Sequence, residues 1–125
     1  MEFRVLAAIS AGGVLGALAR YGVAEAWPHP AGGFPWSTLV INVSGCLLIG
    51  VLMVFVTKVA TDRPLLRPFL GVGFLGGYTT FSTYIVDIYQ TTSPWAALAY
   101  LGLTLIGAMA AVWTGWEITI RLVRR

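Results

Sequence analysis

The chain carries four apolar stretches, each about as long as a bilayer is thick, and together they use nearly all of its 125 residues. A membrane helix needs about 20 mostly apolar residues. Read from the residues, the spans run from Val5 to Ala26, Ser37 to Thr57, Phe69 to Gln90 and Trp95 to Ile120. No room is left for a soluble domain, so the expectation is one all-α integral membrane domain covering residues 1–125. Composition agrees: 58% of residues are hydrophobic and only 10% charged, against roughly 25% charged in an ordinary soluble domain.

The third span contradicts the rule that a lipid-embedded helix should be regular. From Gly71 to Asp87 it reads G-V-G-F-L-G-G-Y-T-T-F-S-T-Y-I-V-D, with four glycines followed by Thr79, Thr80, Ser82 and Thr83. Glycine and β-branched or hydroxyl residues lower helix propensity. Backbone that leaves the helix at membrane depth must find partners in protein or in a water-lined cavity. The expectation is therefore a third helix broken at its midpoint, between Gly76 and Thr80, and such breaks often build ion sites.

Other signals organise the chain around this stretch. Gly12 and Gly16, and Gly107, Ala111 and Gly115, repeat small residues at four-residue spacing, which lets helices approach closely. Pro28, Pro30 and Pro35 mark a loop between the first two spans, with His29 reading as a solvated loop residue. Ser37 or Thr38 reads as a helix N-cap. Trp27, Trp36 and Trp95 fall at one set of span ends, and Trp113 and Trp116 lie towards the other, as in an interfacial belt. Arg4, Lys58, Arg63, Arg67, Arg121, Arg124 and Arg125 share one side, whereas the opposite loops carry no Lys or Arg. That bias places both termini in the cytoplasm. The net charge of +3 thus reports topology, not nucleic-acid binding.

An enzyme is not expected. The acids Glu2, Glu25, Asp62, Asp87 and Glu117 are scattered near span ends, and there is one histidine and one cysteine. No nucleophile with a base and no set of metal side chains is assembled. What the spans hold is uncharged hydrogen-bonding groups. Thr38, Asn42 and Gly45 share one helical face, as do Tyr100 and Thr104, and Phe81 and Tyr84 share a face beyond the break. Each alone reads as packing or as a helix-to-helix bond. Combined with a broken helix they describe a small polar path for an ion. Amide and hydroxyl donors and aromatic ring edges suit an anion, while carbonyls freed at the break suit a cation.

Three runs carry a resemblance. They are Gly12-Gly13-Val14-Leu15-Gly16-Ala17-Leu18-Ala19-Arg20, Pro35-Trp36-Ser37-Thr38-Leu39-Val40-Ile41-Asn42, and Gly73-Phe74-Leu75-Gly76-Gly77-Tyr78-Thr79-Thr80-Phe81-Ser82-Thr83. Together they resemble the Fluc/CrcB fluoride channels, in order and across all four spans. The resemblance implies an antiparallel dimer in the cell inner membrane, with two pores that export fluoride passively. It implies a central structural sodium ion on the backbone carbonyls of Gly76 and Thr79 from both subunits. It places Asn42, Phe81, the residue at 84, Ser82, Thr38, Tyr100 and Thr104 along the fluoride path, and Arg20 at the end of the first span. Two positions depart from the family pattern. Tyr84 stands where a phenylalanine is expected, and its hydroxyl can donate to fluoride, block the path or bond elsewhere. Ala108 stands where a hydroxyl is expected, one turn beyond Thr104. The charge bias raises a paired-paralogue assembly beside a homodimer. The other readings are a proton-coupled multidrug exporter of four spans, which needs an acid deep in a span, and a non-conducting partner subunit.

Overall fold

A computed structural model describes residues 2–28 and 33–125, so His29 and Pro30 lie outside the described residues. Every regular element among the described residues is helical. Helix α1 is Phe3–Ala26 and α2 is Trp36–Val54, prolonged by a wider π-type turn at Phe55–Val59. The third span starts as a π-type helix at Arg67–Leu75 and continues as α3, Gly76–Tyr78. Helix α4 is Ser82–Gln90 and α5 is Pro94–Val123. Four helical segments are long and apolar enough to cross a membrane: Phe3–Ala26, Trp36–Val59, Arg67–Gln90 and Pro94–Val123.

Helix ends follow local chemistry. Trp27 leaves helical geometry immediately before Pro28, which disfavours helix at the residue preceding it. The expected cap at Ser37 or Thr38 is not where α2 starts. Pro35 takes the cap position without a side-chain bond, and both hydroxyl residues are buried inside the helix. Proline supplies a helix-compatible entry and has no N–H to satisfy. Helix α5 opens on Ser93, whose hydroxyl accepts from Ala96 N–H at 3.4 Å, with Pro94 in the first helical position. The wide turns were not legible in the sequence. At Phe55–Val59 the Ala60 N–H reaches back to the Phe55 carbonyl at 2.8 Å. In the third span Pro68 lacks an N–H and Gly71 and Gly73 add backbone freedom, so the ladder can slip by one residue.

Two helix pairs carry the packing. Helix α1 lies against the third span, and α2 against α5. Glycine makes both possible. A side chain at Gly12 would strike the Phe69 carbonyl, and one at Gly16 the Phe74 carbonyl. From the other side, Gly73 faces Ile9 and Gly77 faces Gly13. In the α2–α5 pair, Gly115 meets the Leu47 carbonyl and Gly50 meets Val112. Lipid offers helices no hydrophobic reason to associate, so close van der Waals contact must provide it. Most side chains face outward: only between 11% and 33% of each span's apolar window is buried within the chain. Val14, Leu18, Leu103, Ile106 and Met109 are among the exposed residues. Such a surface requires lipid or another apolar partner.

Gly12→Leu is expected to abolish the α1 contact and cost at least about 3 kcal/mol, because the obstacle is backbone and cannot rotate away. Gly22, on the same helix, has open space around it. There Gly22→Ala is expected to stabilise by up to about 1 kcal/mol through helix propensity. Thermal unfolding of both variants in detergent checks the contrast, and similar melting temperatures would refute this account of the interface.

Candidate functional site: a polar link and a groove in the third span

Between α3 and α4 the chain runs through Thr79, Thr80 and Phe81. Thr79 is extended, with φ −77° and ψ 160°, and Phe81 has returned to φ −93° and ψ −38°. Polar contacts tie the link to the neighbouring helices. Thr80 N–H donates to Asn42 Oδ1 at 2.9 Å. Asn42 Nδ2 donates to the Thr80 carbonyl, also at 2.9 Å. The Thr80 hydroxyl accepts from Thr83 N–H at 3.2 Å, supplying the first turn of α4 with a partner. The Thr79 hydroxyl bonds back to the Leu75 carbonyl at 2.9 Å. Arg20 reaches from α1 and donates to the Thr79 carbonyl at 3.3 Å. Just before the link, the Tyr78 hydroxyl and Ser44 Oγ lie 3.0 Å apart. Gly45 leaves room for the Thr79 methyl group, which a side chain there would strike.

Beside the link lies an open groove of about 430 Å³. Asn42, Thr80, Phe81, Tyr84, Thr104 and Ala108 line it, and so does Cys46. Its walls are mostly apolar. The exception in chemistry is Thr104: its residue is only 6% exposed, and its Oγ1 has no hydrogen-bond partner. A buried hydroxyl left in that state costs about 1–3 kcal/mol. Phe81 is 73% exposed. Its ring centroid lies 6.0 Å from that of Tyr84, and the Tyr84 ring lies 5.1 Å from Tyr100.

The structure therefore gathers Asn42, Phe81, Tyr84 and Thr104 at one groove and separates the other expected path residues. Tyr100 is fully buried behind Tyr84, edge-on to Phe34 at 5.5 Å. Its hydroxyl donates to Asp87 Oδ2 at 3.4 Å. Thr38 lines a second groove, of about 350 Å³, together with Arg20, Thr80 and Thr83. Ser82 is exposed at the start of α4. Of the three fates open to the Tyr84 hydroxyl, the chain takes the third: it donates to the Leu101 carbonyl on α5 at 3.2 Å. This turns the hydroxyl away and leaves the ring at the groove. Where one turn of α5 could have carried a second hydroxyl, Ala108 contributes a methyl group to the wall.

Two functional partners escaped the sequence. Thr80 reads as one of several hydroxyl residues, yet its backbone is what Asn42 holds. Asp87 reads as a group near a span end, yet it is buried and anchors Tyr100. The i, i+4 pattern reports faces of one helix, not which atom on another helix lies opposite. Among the described residues no cluster of His, Cys, Asp and Glu forms a metal site.

Tyr84→Phe removes the bond to Leu101 while keeping the ring. It is expected to cost about 1 kcal/mol of stability and to leave the groove's shape intact. A melting temperature unchanged within error would show that the Leu101 contact carries no weight.

A family model described as "CrcB-like protein, Camphor Resistance (CrcB)" matches residues 7–116. The chain is 53% identical over 114 residues to "Fluoride-specific ion channel FluC 2" of Nocardia farcinica, covering 89% of this chain and 81% of that one. It is 50% identical over 129 residues to "Fluoride-specific ion channel FluC 2" of Thermobifida fusca, covering 100% of this chain and 95% of the relative. It is 49% identical over 112 residues to "Fluoride-specific ion channel FluC 1" of Streptomyces coelicolor, covering 87% and 73%. The four spanning helices and this kinship together make the chain a multi-pass membrane protein.

Proposed function

Since this chain belongs to the CrcB family, a family of ion channels and not of enzymes, we propose that it conducts fluoride passively out of the cytoplasm across the inner membrane. The observation that carries this reading is the Thr104 hydroxyl, buried and unpartnered at a groove with aromatic walls. A donor with no protein acceptor, beside ring edges of positive potential, suits a small anion. No fixed cation lines that groove, so an anion there is drawn by dipoles and can leave again.

The path consists of Asn42, Phe81, Tyr84 and Thr104 at the groove, with Tyr100 supporting Tyr84 from behind. Thr38, Ser82 and Arg20 belong to its approach. Arg20 concentrates anions near the link, and Thr38 lines the same second groove. The exposed Phe81 and the outward apolar surface support assembly with a second, antiparallel subunit, which would complete two pores. In this reading the third span acts as a helix broken at the Thr79–Phe81 link.

A structural sodium ion belongs to the same proposal. The Gly76 carbonyl fits it, because Thr80 N–H, its helical partner, is diverted to Asn42. The Thr79 carbonyl fits less well, because Arg20 already donates to it and a cation would have to share that oxygen with a guanidinium. Sodium favours oxygen ligands, and two carbonyls per subunit would supply four. Replacing sodium by a large organic cation is expected to lower the melting temperature of the assembled protein. Equal melting temperatures in both salts would remove the ion from this account.

A second reading of the assembly rests on charge. Seven Lys and Arg residues stand on one side and none in the opposite loops, so insertion in one fixed orientation is favoured. Numbered paralogues exist among the relatives: Streptomyces avermitilis has proteins named FluC 2 and FluC 3. An unlike, oppositely oriented partner would reconcile an antiparallel pair with this bias.

Efflux from liposomes containing the purified chain tests the function. Fluoride efflux without a proton gradient is expected from the homodimer. Efflux that depends wholly on the gradient would make the protein an exporter, with the buried Asp87 as the acid. No efflux alone, but efflux with a paralogue, would make it a partner subunit. Thr104→Val is the sharpest variant. It should lower fluoride flux about tenfold, the value of one donor worth about 1.4 kcal/mol, while leaving stability equal or higher because an orphaned hydroxyl is gone. Unchanged flux would take Thr104 off the path.

A further inference from the structure

Asn42 uses both ends of its carboxamide on one residue. Its oxygen accepts from Thr80 N–H and its nitrogen donates to the Thr80 carbonyl, each at 2.9 Å. Asn42 is 8% exposed and Thr80 9%, so water competes little for these bonds. In an unbroken helix Thr80 N–H would go to the Gly76 carbonyl, four residues back, and the Thr80 carbonyl would take the Tyr84 N–H. Asn42 occupies both of those positions from outside the helix. The residue ahead of this two-point pair, Thr79, is extended, and the residue after it begins the turn into α4.

We propose that Asn42 is a positioning residue that holds the third span in its interrupted conformation by standing in for the helical partners of Thr80. The side chain is selected for this task by length and by bearing one donor and one acceptor. Aspartate of the same shape, neutral at this depth, keeps an acceptor oxygen and an O–H donor. Leucine keeps the bulk and loses both. With both lost at membrane depth, Thr80 would be left with two backbone groups that lipid cannot satisfy. The cheapest remedy is return to the helical ladder, with Thr80 N–H on Gly76. Thr79 would then become helical, and Phe81 would rotate out of its place at the groove. The two states differ in which oxygen receives one N–H, so the link is a two-state element whose balance Asn42 sets. Intercepting Thr80 N–H is also what frees the Gly76 carbonyl. This inference concerns the conformation of the link and stands whether or not the permeant ion is fluoride.

The test reads the backbone directly. The full chain, labelled with 13C- and 15N-threonine, is reconstituted in lipid nanodiscs as wild type, Asn42→Leu and Asn42→Asp. The Thr79 Cα and Cβ chemical shifts report its conformation. Wild type should lie on the extended side of the random-coil values. Asn42→Leu should move to the helical side, and its fluoride efflux should fall with the helical fraction. Asn42→Asp, which still accepts from Thr80 N–H, should stay extended. A folded Asn42→Leu with Thr79 still extended overturns the proposal, even if its melting temperature or flux is lower, because Asn42 would then merely stabilise the fold or contact the ion. Should Asn42→Leu fail to fold, Asn42→Ala decides: folded with Thr79 on the helical side supports the proposal, and Thr79 still extended, or an unfolded protein, overturns it. Absence of fluoride efflux in the wild type would sink the channel reading but leave these shifts, and the proposal, untouched.

Discussion

Backbone polar groups in a membrane have no water to fall back on, and the third span is arranged around that fact. Thr79 keeps its N–H on the Leu75 carbonyl and the Phe81 carbonyl takes the Ile85 N–H, but the Thr80 backbone groups are met by a side chain from another helix. Asn42 serves both backbone groups of Thr80, Arg20 serves the Thr79 carbonyl, and the Thr80 hydroxyl serves the first turn of α4. Remove lipid from the argument and these contacts would be worth about 1 kcal/mol each. In a bilayer the alternative is an unsatisfied group, so losing such a contact costs more there than in water.

This demand explains why the small residues sit where they do. For Arg20 and Asn42 to reach the link, α1 lies along the third span and α2 approaches it near Gly45. Gly12, Gly16, Gly73 and Gly77 permit this on the α1 side, and Gly45 permits it on α2. Helix α4 is less firmly attached. Its ties to the rest of the chain are largely side-chain bonds, from Tyr84 to Leu101 and from Tyr100 to Asp87. A rigid paired-helix frame thus carries a short helix held by individual hydrogen bonds, and Phe81 and Tyr84 ride on that junction. Placement of an aromatic pair beside a buried hydroxyl therefore depends on a few polar contacts, not on bulk packing.

Two positions of the aromatic and hydroxyl lining, Tyr84 and Ala108, differ in how the fold uses them. Tyr84 preserves an aromatic wall and uses its extra hydroxyl on α5, so the added polarity is absorbed by the fold. Ala108 has no such compensation. Thr104 Oγ1 is the one buried side-chain polar atom without a partner among the described residues, and Ala108 adds no polar group beside it.

How much of this was legible beforehand follows from the range of each interaction. Span number, all-helical class, the side on which charges collect and the glycine faces are local or periodic properties, and Gly12 with Gly16 or Gly107 with Gly115 can be read along one helix. The irregularity of the third span was legible for the same reason, since propensity and lipid solvation act at the residue itself. The partner of each polar atom was not. Whether Asn42 meets an ion, another side chain or the Thr80 backbone depends on the approach of two helices separated by 38 positions in sequence. The Tyr84 hydroxyl likewise had three possible fates until α5 came to lie beside it. Sequence alone determined that this chain is all-helical, with four stretches long and apolar enough to cross a membrane. Only the tertiary structure decided which atoms meet the backbone of Thr79 and Thr80, because hydrogen bonds are directional and short, and their partners arrive from elsewhere in the chain.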